Sequence, residues 1–214
     1  MWFFIIMGVV LSCLHQSSLG NLMVIAPYKM HPLWYTPLLP LLFLVSAIGV
    51  GLPMVIFEST IAAKVFKFKL ESEIIQSLSR IVPVIIGIYL FLKIGDLTIR
   101  DAWAYMFEGS YQSNWFLLEF FIGIVAPLLM FMSAKVRRSP KLIFTASTLY
   151  IIFGVLLNRI NVFLVAYKPP YAEKAYFPAI GEFAVTIGLV AALILCYRAF
   201  VTIFPILPGP QADG

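Results

Sequence analysis

The sequence predicts an all-α protein, a polytopic transmembrane bundle of about six helices in a single integral membrane domain over residues 1–214. Three observations lead there. Of the 214 residues, 62% are hydrophobic and only 12% are charged, whereas a soluble domain is nearer half apolar and a quarter charged. The mean hydropathy is +0.98, which is more apolar surface than a small globule can hide. The apolar residues fall in six runs, each near the roughly twenty residues that cross a bilayer as helix. A soluble enzyme, a disordered tail and a nucleic-acid-binding domain are excluded. The net charge of +5 does not favour nucleic acid, because the basic residues sit in short loops between the runs.

The helices are expected over 2–26, 37–59, 73–94, 114–134, 140–166 and 177–206. In the first, no Lys or Arg precedes Lys29, and the apolar stretch is too long for a cleaved signal peptide. The chain opens Met1-Trp2-Phe3-Phe4 with no polar lead, which reads as part of a longer or split subunit. The second run carries Ser46, Gly49, Gly51 and Pro53, the third Pro83 and Gly87, and the fourth Gly123 and Pro127. Such residues are common where membrane helices pack closely. The sixth run is long enough to tilt or to end in an interfacial turn near Pro205 and Pro208. Cys13 and Cys196 both lie in apolar runs and read as small fillers.

Basic loop residues set the orientation. Lys64, Lys67 and Lys69 follow the second helix, and Lys135, Arg137, Arg138 and Lys141 follow the fourth. The opposite loops hold only Lys29, Arg100, Lys168 and Lys174. Seven against four places the second and fourth loops, and both ends of the chain, in the cytoplasm. The outer loops are aromatic: Tyr28, Trp34 and Tyr35; Trp103, Tyr105, Phe107 and Tyr111; Tyr171 and Tyr176. An interfacial belt accounts for them, and so does a docking surface for an extramembrane partner.

Polar groups inside hydrocarbon are costly and need a reason. Ser12, His15 and Gln16 fall at i, i+3 and i+4 in the first helix and share a face. His15 is either a histidine satisfied by a neighbouring carbonyl or a group that hydrogen-bonds and exchanges protons, since imidazole titrates near neutral pH. Glu58, Arg80 and Arg198 lie toward the inner side; Glu119, Asn158, Arg159, Asn161 and Glu182 lie in the outer half. Both signs at matching depth suggest a buried charge network, either locking the bundle or moving protons. In particular, Arg159 is expected to pair with Glu119, Glu182 or both.

Only two histidines are present, and His31 lies in a loop. A b-type haem normally takes two well-placed axial ligands, so no haem, no metal site and no catalytic residue are expected in this chain. Any redox partner is then a diffusible menaquinone or ubiquinone, with electrons exchanged through another subunit. The residues alone also leave open a small-solute or ion transporter, since glycines, prolines and buried charges suit that too, or a purely structural anchor.

Two stretches narrow the choice. One is Gly8-Val9-Val10-Leu11-Ser12-Cys13-Leu14-His15-Gln16-Ser17-Ser18-Leu19-Gly20, followed by His31-Pro32-Leu33-Trp34-Tyr35. The other is Leu157-Asn158-Arg159-Ile160-Asn161-Val162, followed by Tyr176-Phe177-Pro178 and Gly181-Glu182-Phe183. Together they resemble the NrfD-like membrane subunits, in particular the HybB branch that accompanies nickel–iron hydrogenases and related periplasmic redox complexes. The resemblance implies the second four-helix bundle of an NrfD-like fold with a flanking helix on each side. It implies a bacterial inner-membrane subunit, haem-free and not catalytic alone. Such a subunit passes electrons between quinone and a periplasmic iron–sulfur, ferredoxin-like subunit on the outer face, with or without proton translocation. It also places the quinone pocket in the first bundle, at whose edge His15, Gln16 and Ser12 would stand, and implies a companion segment carrying the earlier helices.

Reporter fusions at Lys67 and at Trp103 should report opposite sides of the membrane, with Lys67 inside. Lys67 outside would reverse the orientation.

Overall fold

The computed structural model describes residues 2–25, 27–66, 72–168 and 178–204. Six helices are long and apolar enough to cross a membrane: α1 (Trp2–Val24), α2 (Leu39–Phe66), α3 (Ser72–Ile99), α4 (Tyr111–Met132), α5 (Pro140–Val165) and α6 (Ile180–Ile203). No strand occurs among the described residues. The chain is therefore a multi-pass, all-α membrane protein. It divides into two units, 1–172 and 173–214. The second holds α6, which has no buried residue.

In the first unit α2, α3, α4 and α5 share one core. Its fully buried side chains include Phe43, Ile56, Val82, Ile86, Phe116, Ile124, Phe131 and Ile143. Outward positions of the same helices are just as apolar, Val84, Phe91 and Leu129 among them. That is expected when the solvent is hydrocarbon: burying apolar surface then contributes little to helix association. Close packing and internal polar bonds must hold the helices together instead. Helix α1 lies against α2 along its second half, where Leu19, Met23 and Val24 pack on the core. Ser17 Oγ donates to the carbonyl of Pro40 at 3.1 Å, and a Cβ on Gly20 would stand 3.0 Å from Pro40 Cα. The rest of α1 is largely exposed.

Several helices differ in length from their apolar runs. Helix α3 continues to Ile99 rather than 94, and α2 to Phe66 rather than 59. A helix needs only a buried stripe to continue past the end of an apolar run. In α3 the stripe runs Ile75, Ser79, Val82, Ile86, Tyr89, Lys93 and Asp96 at steps of three and four. Its last two members are charged, and they still face the core. Helix α4 begins at Tyr111, three residues before the expected 114, because Ser110 caps it. The Ser110 backbone is extended, and its Oγ accepts from the Ser113 N–H at 3.2 Å. The expected helix residues 26, 177, 205 and 206 lie outside the described residues, as do Lys67, Lys69, Tyr171, Lys174 and Tyr176.

Helices α4 and α5 are not uniform. Each contains π-helical segments: Glu119–Val125 in α4, and Tyr150–Leu156 and Asn161–Val165 in α5. A π segment adds a residue per turn and re-aims the faces that follow it. The segments of α4 and α5 cross where both helices carry glycine. A Cβ on Gly123 would come within 2.2 Å of the Phe153 carbonyl oxygen, and one on Gly154 within 2.5 Å of the Gly123 oxygen. No side chain can be tolerated at this backbone crossing.

Gly123→Ala should therefore destabilise the folded chain by about 1–3 kcal/mol or more. Gly51→Ala, where nothing lies within 4 Å of the new Cβ, should be close to neutral. Thermal unfolding midpoints in detergent compare the two, and equal midpoints would contradict the crossing.

Candidate functional site

A buried polar network occupies one half of the first unit, and its centre is Glu119 at the start of the π segment of α4. The residue is 0% exposed. Its Oε1 accepts from Lys93 Nζ and, at 2.9 Å, from Asn158 Nδ2. Its Oε2 accepts from Trp34 Nε1 at 3.0 Å and from Asn161 Nδ2 at 2.9 Å. Four donors thus converge on one carboxylate, from α3, from the loop before α2 and from α5. Lys93 forms a buried ion pair with it. The Lys93 ammonium also stands 4.9 Å from the Phe116 ring centre and 5.8 Å from that of Tyr89, where aromatic faces attract a cation.

Arg159 extends the network toward α1. Its Nη1 donates to Asn158 Oδ1 at 2.8 Å, Nη2 to Ser46 Oγ at 2.8 Å and to the Phe43 carbonyl at 3.3 Å, and Nε to Gln16 Oε1 at 3.3 Å. The guanidinium also lies 3.5 Å from the Phe43 ring centre. The expected Arg159–Glu119 ion pair is not what joins these residues. Glu119 takes Lys93 as its cation, and Asn158 relays between the two charges, accepting from Arg159 and donating to Glu119. An amide can do this because it carries both a donor and an acceptor.

Of the candidate residues, the structure brings together Gln16, Glu119, Asn158, Arg159 and Asn161. Ser12 and His15 lie on the exposed face of α1, and Gln16 alone turns inward. Glu58 and Arg80 are exposed toward the opposite end, and neither makes an ion pair among the described residues. Glu182 and Arg198 belong to α6 in the second unit. The apolar runs of the sequence give no reason to single out Lys93, and Trp34 reads from the sequence as part of a belt or of a docking surface rather than as a donor to Glu119. Tyr89 and Asp96 are not singled out either. The signal for Lys93 and Asp96 was the period of the α3 stripe carried past its apolar part.

A second cluster lies beside the first. Asp96 and Arg100 form an ion pair one helical turn apart. Thr36 Oγ1 donates to Asp96 Oδ1, and Arg100 Nη1 donates to the Pro32 carbonyl. Between the clusters is a cavity of about 20 Å³ lined by Trp34, Thr36, Tyr89, Lys93, Asp96 and Asn158 among others, enough for about one water molecule. The loop that brings Trp34 here is tied to the end of α5: His31 N–H donates to Ala166 O at 2.9 Å. His31 Nδ1 accepts from the Leu33 N–H at 3.3 Å, which requires a neutral imidazole. Burial holds the His31 imidazole below its usual range. Lys168 nearby pushes it further the same way, and Glu108 opposes.

Chemically, the arrangement can keep a carboxylate, an ammonium and a guanidinium charged in a dry interior and couple them through amides. Tyr150 Oη, Ser147 Oγ and Asn161 Oδ1 are buried with no hydrogen-bond partner among the described residues. No group of three or more metal-ligating side chains is found among the described residues.

The sequence pattern of the family described as "Polysulphide reductase, NrfD" matches residues 1–169. A protein of Nitratidesulfovibrio vulgaris is 34% identical over 210 residues, covering 94% of this chain and 53% of that protein. The "Probable Ni/Fe-hydrogenase 2 b-type cytochrome subunit" of Escherichia coli is 34% identical over 211 residues, covering 97% and 53%. The "Menaquinone reductase, integral membrane subunit" of N. vulgaris is 27% identical over 226 residues, covering 92% and 52%. The chain thus spans about half the length of the curated relatives it matches. No solved structure matches the chain significantly.

One of these names corrects an expectation. The E. coli relative is called a b-type cytochrome subunit, so the haem-free reading made from the histidine count does not stand. Too few histidines in one stretch of chain is a weak argument when axial ligands can come from elsewhere. Among the described residues, His15 is exposed on α1 and His31 is engaged in its loop.

The Lys93–Glu119 pair yields a direct test. Lys93→Met leaves a buried carboxylate without its cation and should cost about 3–5 kcal/mol. Lys93→Met combined with Glu119→Gln should cost clearly less than the two single changes added together. A double-mutant cycle on unfolding in detergent measures the coupling; a coupling of zero would mean the pair does not organise the site.

Proposed function

The chain belongs to the NrfD family, and from that premise we propose that it is a membrane subunit of a quinone-linked respiratory oxidoreductase complex. In this reading it serves electron exchange between the quinone pool and an iron–sulfur subunit docked on the outer face. The relatives named as a hydrogenase subunit and as a menaquinone reductase membrane subunit support the class of complex. The observation that carries the reading is the contact between Gln16 and Arg159. It connects the polar face of α1 to the buried network, and hence to Glu119, Lys93 and the outer loop at Trp34.

Oxidising a quinol releases two electrons and two protons, and reducing a quinone takes up the same. A pocket for this reaction needs a group that hydrogen-bonds a quinone oxygen and exchanges its proton, and an imidazole does so near neutral pH. His15 is the group of that kind on α1, with Ser12 three residues away on the same face. Its exposure leaves it open to a quinone or to a further segment completing the pocket. Gln16, held by Arg159, fixes that face of α1, and the cationic guanidinium favours negative charge on a reduced oxygen nearby. Large aromatic side chains stand exposed at the same end of the first unit: Tyr28, Phe107 and Tyr111 at 95%, 73% and 64%. They suit a docked extramembrane subunit better than a closed end. The reading places the complex in the bacterial inner membrane, with the Lys- and Arg-rich loops and both ends of this chain in the cytoplasm.

His15→Leu should leave the complex assembled, because an apolar side chain on this face costs little in lipid. It should lower quinone-dependent turnover by about 10²-fold, the lower range for losing a general acid–base. His15→Gln should fall between, keeping a hydrogen bond while losing the imidazole's proton exchange. Quinone reduction by the purified complex with an artificial donor, alongside subunit content, gives the answer. Full turnover in the leucine variant would remove His15 from the chemistry.

A further inference from the structure

The opposite end of the first unit carries a feature that the redox reading does not use. A cavity of about 280 Å³ opens there, lined by Gln76, Arg80, Ala134, Arg137 and Arg138. Gln76 and Arg80 lie in the first turns of α3. Ala134 and Arg137 bound the short helix Ala134–Arg137 between α4 and α5, with Arg138 directly after it. Three arginines therefore line one hollow, and no Asp or Glu lines it. Neither described ion pair involves them, since these are Lys93–Glu119 and Arg100–Asp96. No hydrogen bond from their side chains to another described group is seen either, in contrast to Arg100 and Arg159, which are engaged on every side.

Like charges around one hollow repel each other unless an anion stands between them. We infer that this cavity is a binding site for a phosphate group, presented by the headgroup of an anionic phospholipid. Guanidinium groups match phosphate because their planar forks donate two parallel hydrogen bonds to its oxygens. Gln76 adds a neutral amide that can donate to the same oxygens or to a headgroup hydroxyl. The location fits a lipid: the cavity lies at the ends of membrane-crossing helices, where headgroups sit. It is on the side where basic residues concentrate, and basic hollows between such helices bind anionic headgroups. The proposal concerns the end of the bundle away from the Glu119 network and does not depend on the electron-transfer reading.

The test uses the full chain with any subunits that co-purify, reconstituted with phosphatidylglycerol or with phosphatidylcholine and then extracted in neutral detergent. Native mass spectrometry reads retained lipid, and thermal unfolding with added inorganic phosphate reads the soluble anion. Retention of phosphatidylglycerol over phosphatidylcholine is expected. It should drop about tenfold when Arg80→Gln, Arg137→Gln and Arg138→Gln are combined, the loss that follows from removing one charged hydrogen bond or more. Lys135→Gln with Lys141→Gln lowers the charge of the same region outside the cavity lining. This variant should retain lipid as the parent does, and it checks that folding survives such changes. Stabilisation by inorganic phosphate with no lipid preference, lost in the triple variant, would keep the phosphate site and assign it to a soluble compound. No preference and no phosphate response, or responses that persist in the triple variant, would overturn the proposal.

Discussion

Glu119 is an ionisable group with no access to solvent, and much of the first unit is arranged around that fact. A carboxylate in a dry interior is tolerable only with a counter-charge and with donors for its remaining lone pairs. Here the counter-charge comes from α3, and the donors come from α5 and from the loop before α2. One side chain on α4 therefore ties together three other parts of the chain. In a membrane this matters more than in water. Apolar faces have no preference for one another over lipid, so directional polar bonds and close backbone contacts decide which helices are neighbours.

The π segments follow from the same demand. Regular α-helices would carry their faces around at a fixed pitch. An added residue per turn at Glu119–Val125 and at Asn161–Val165 shifts the register just where Glu119 and Asn161 must meet. The distortion sits beside the Gly123–Gly154 crossing, where the backbones approach within a distance that excludes any Cβ. Close approach and altered register work together: without the glycines the helices could not come near enough for asparagine side chains to reach the carboxylate.

The two ends of the unit are electrostatically unlike. Around Glu119 the buried charges have partners within the protein, and Arg159 alone meets four hydrogen-bond acceptors and one aromatic ring. At the opposite end the arginines of the hollow lack such partners among the described residues. The first pattern belongs to a preorganised interior whose charges are held in place, the second to a surface that takes its counter-charge from outside.

Composition and apolar run length determined the fold class, because a chain this apolar can only be solvated by hydrocarbon, and hydrocarbon admits helices with internally satisfied backbones. The same logic marked Glu119, Asn158, Arg159 and Asn161, since an ionisable or amide side chain in such a run must have a partner. The sequence could not say which partner. Lys93 was hidden because the apolar run ended beside it while the buried stripe of α3 went on. Trp34 looked like any interfacial aromatic until the His31–Ala166 contact turned its loop inward. The choice of Lys93 over Arg159 as the cation for Glu119 rests on helix register shifted by π turns and on a glycine crossing. Those are properties of packed neighbours, and no period read along a single helix contains them.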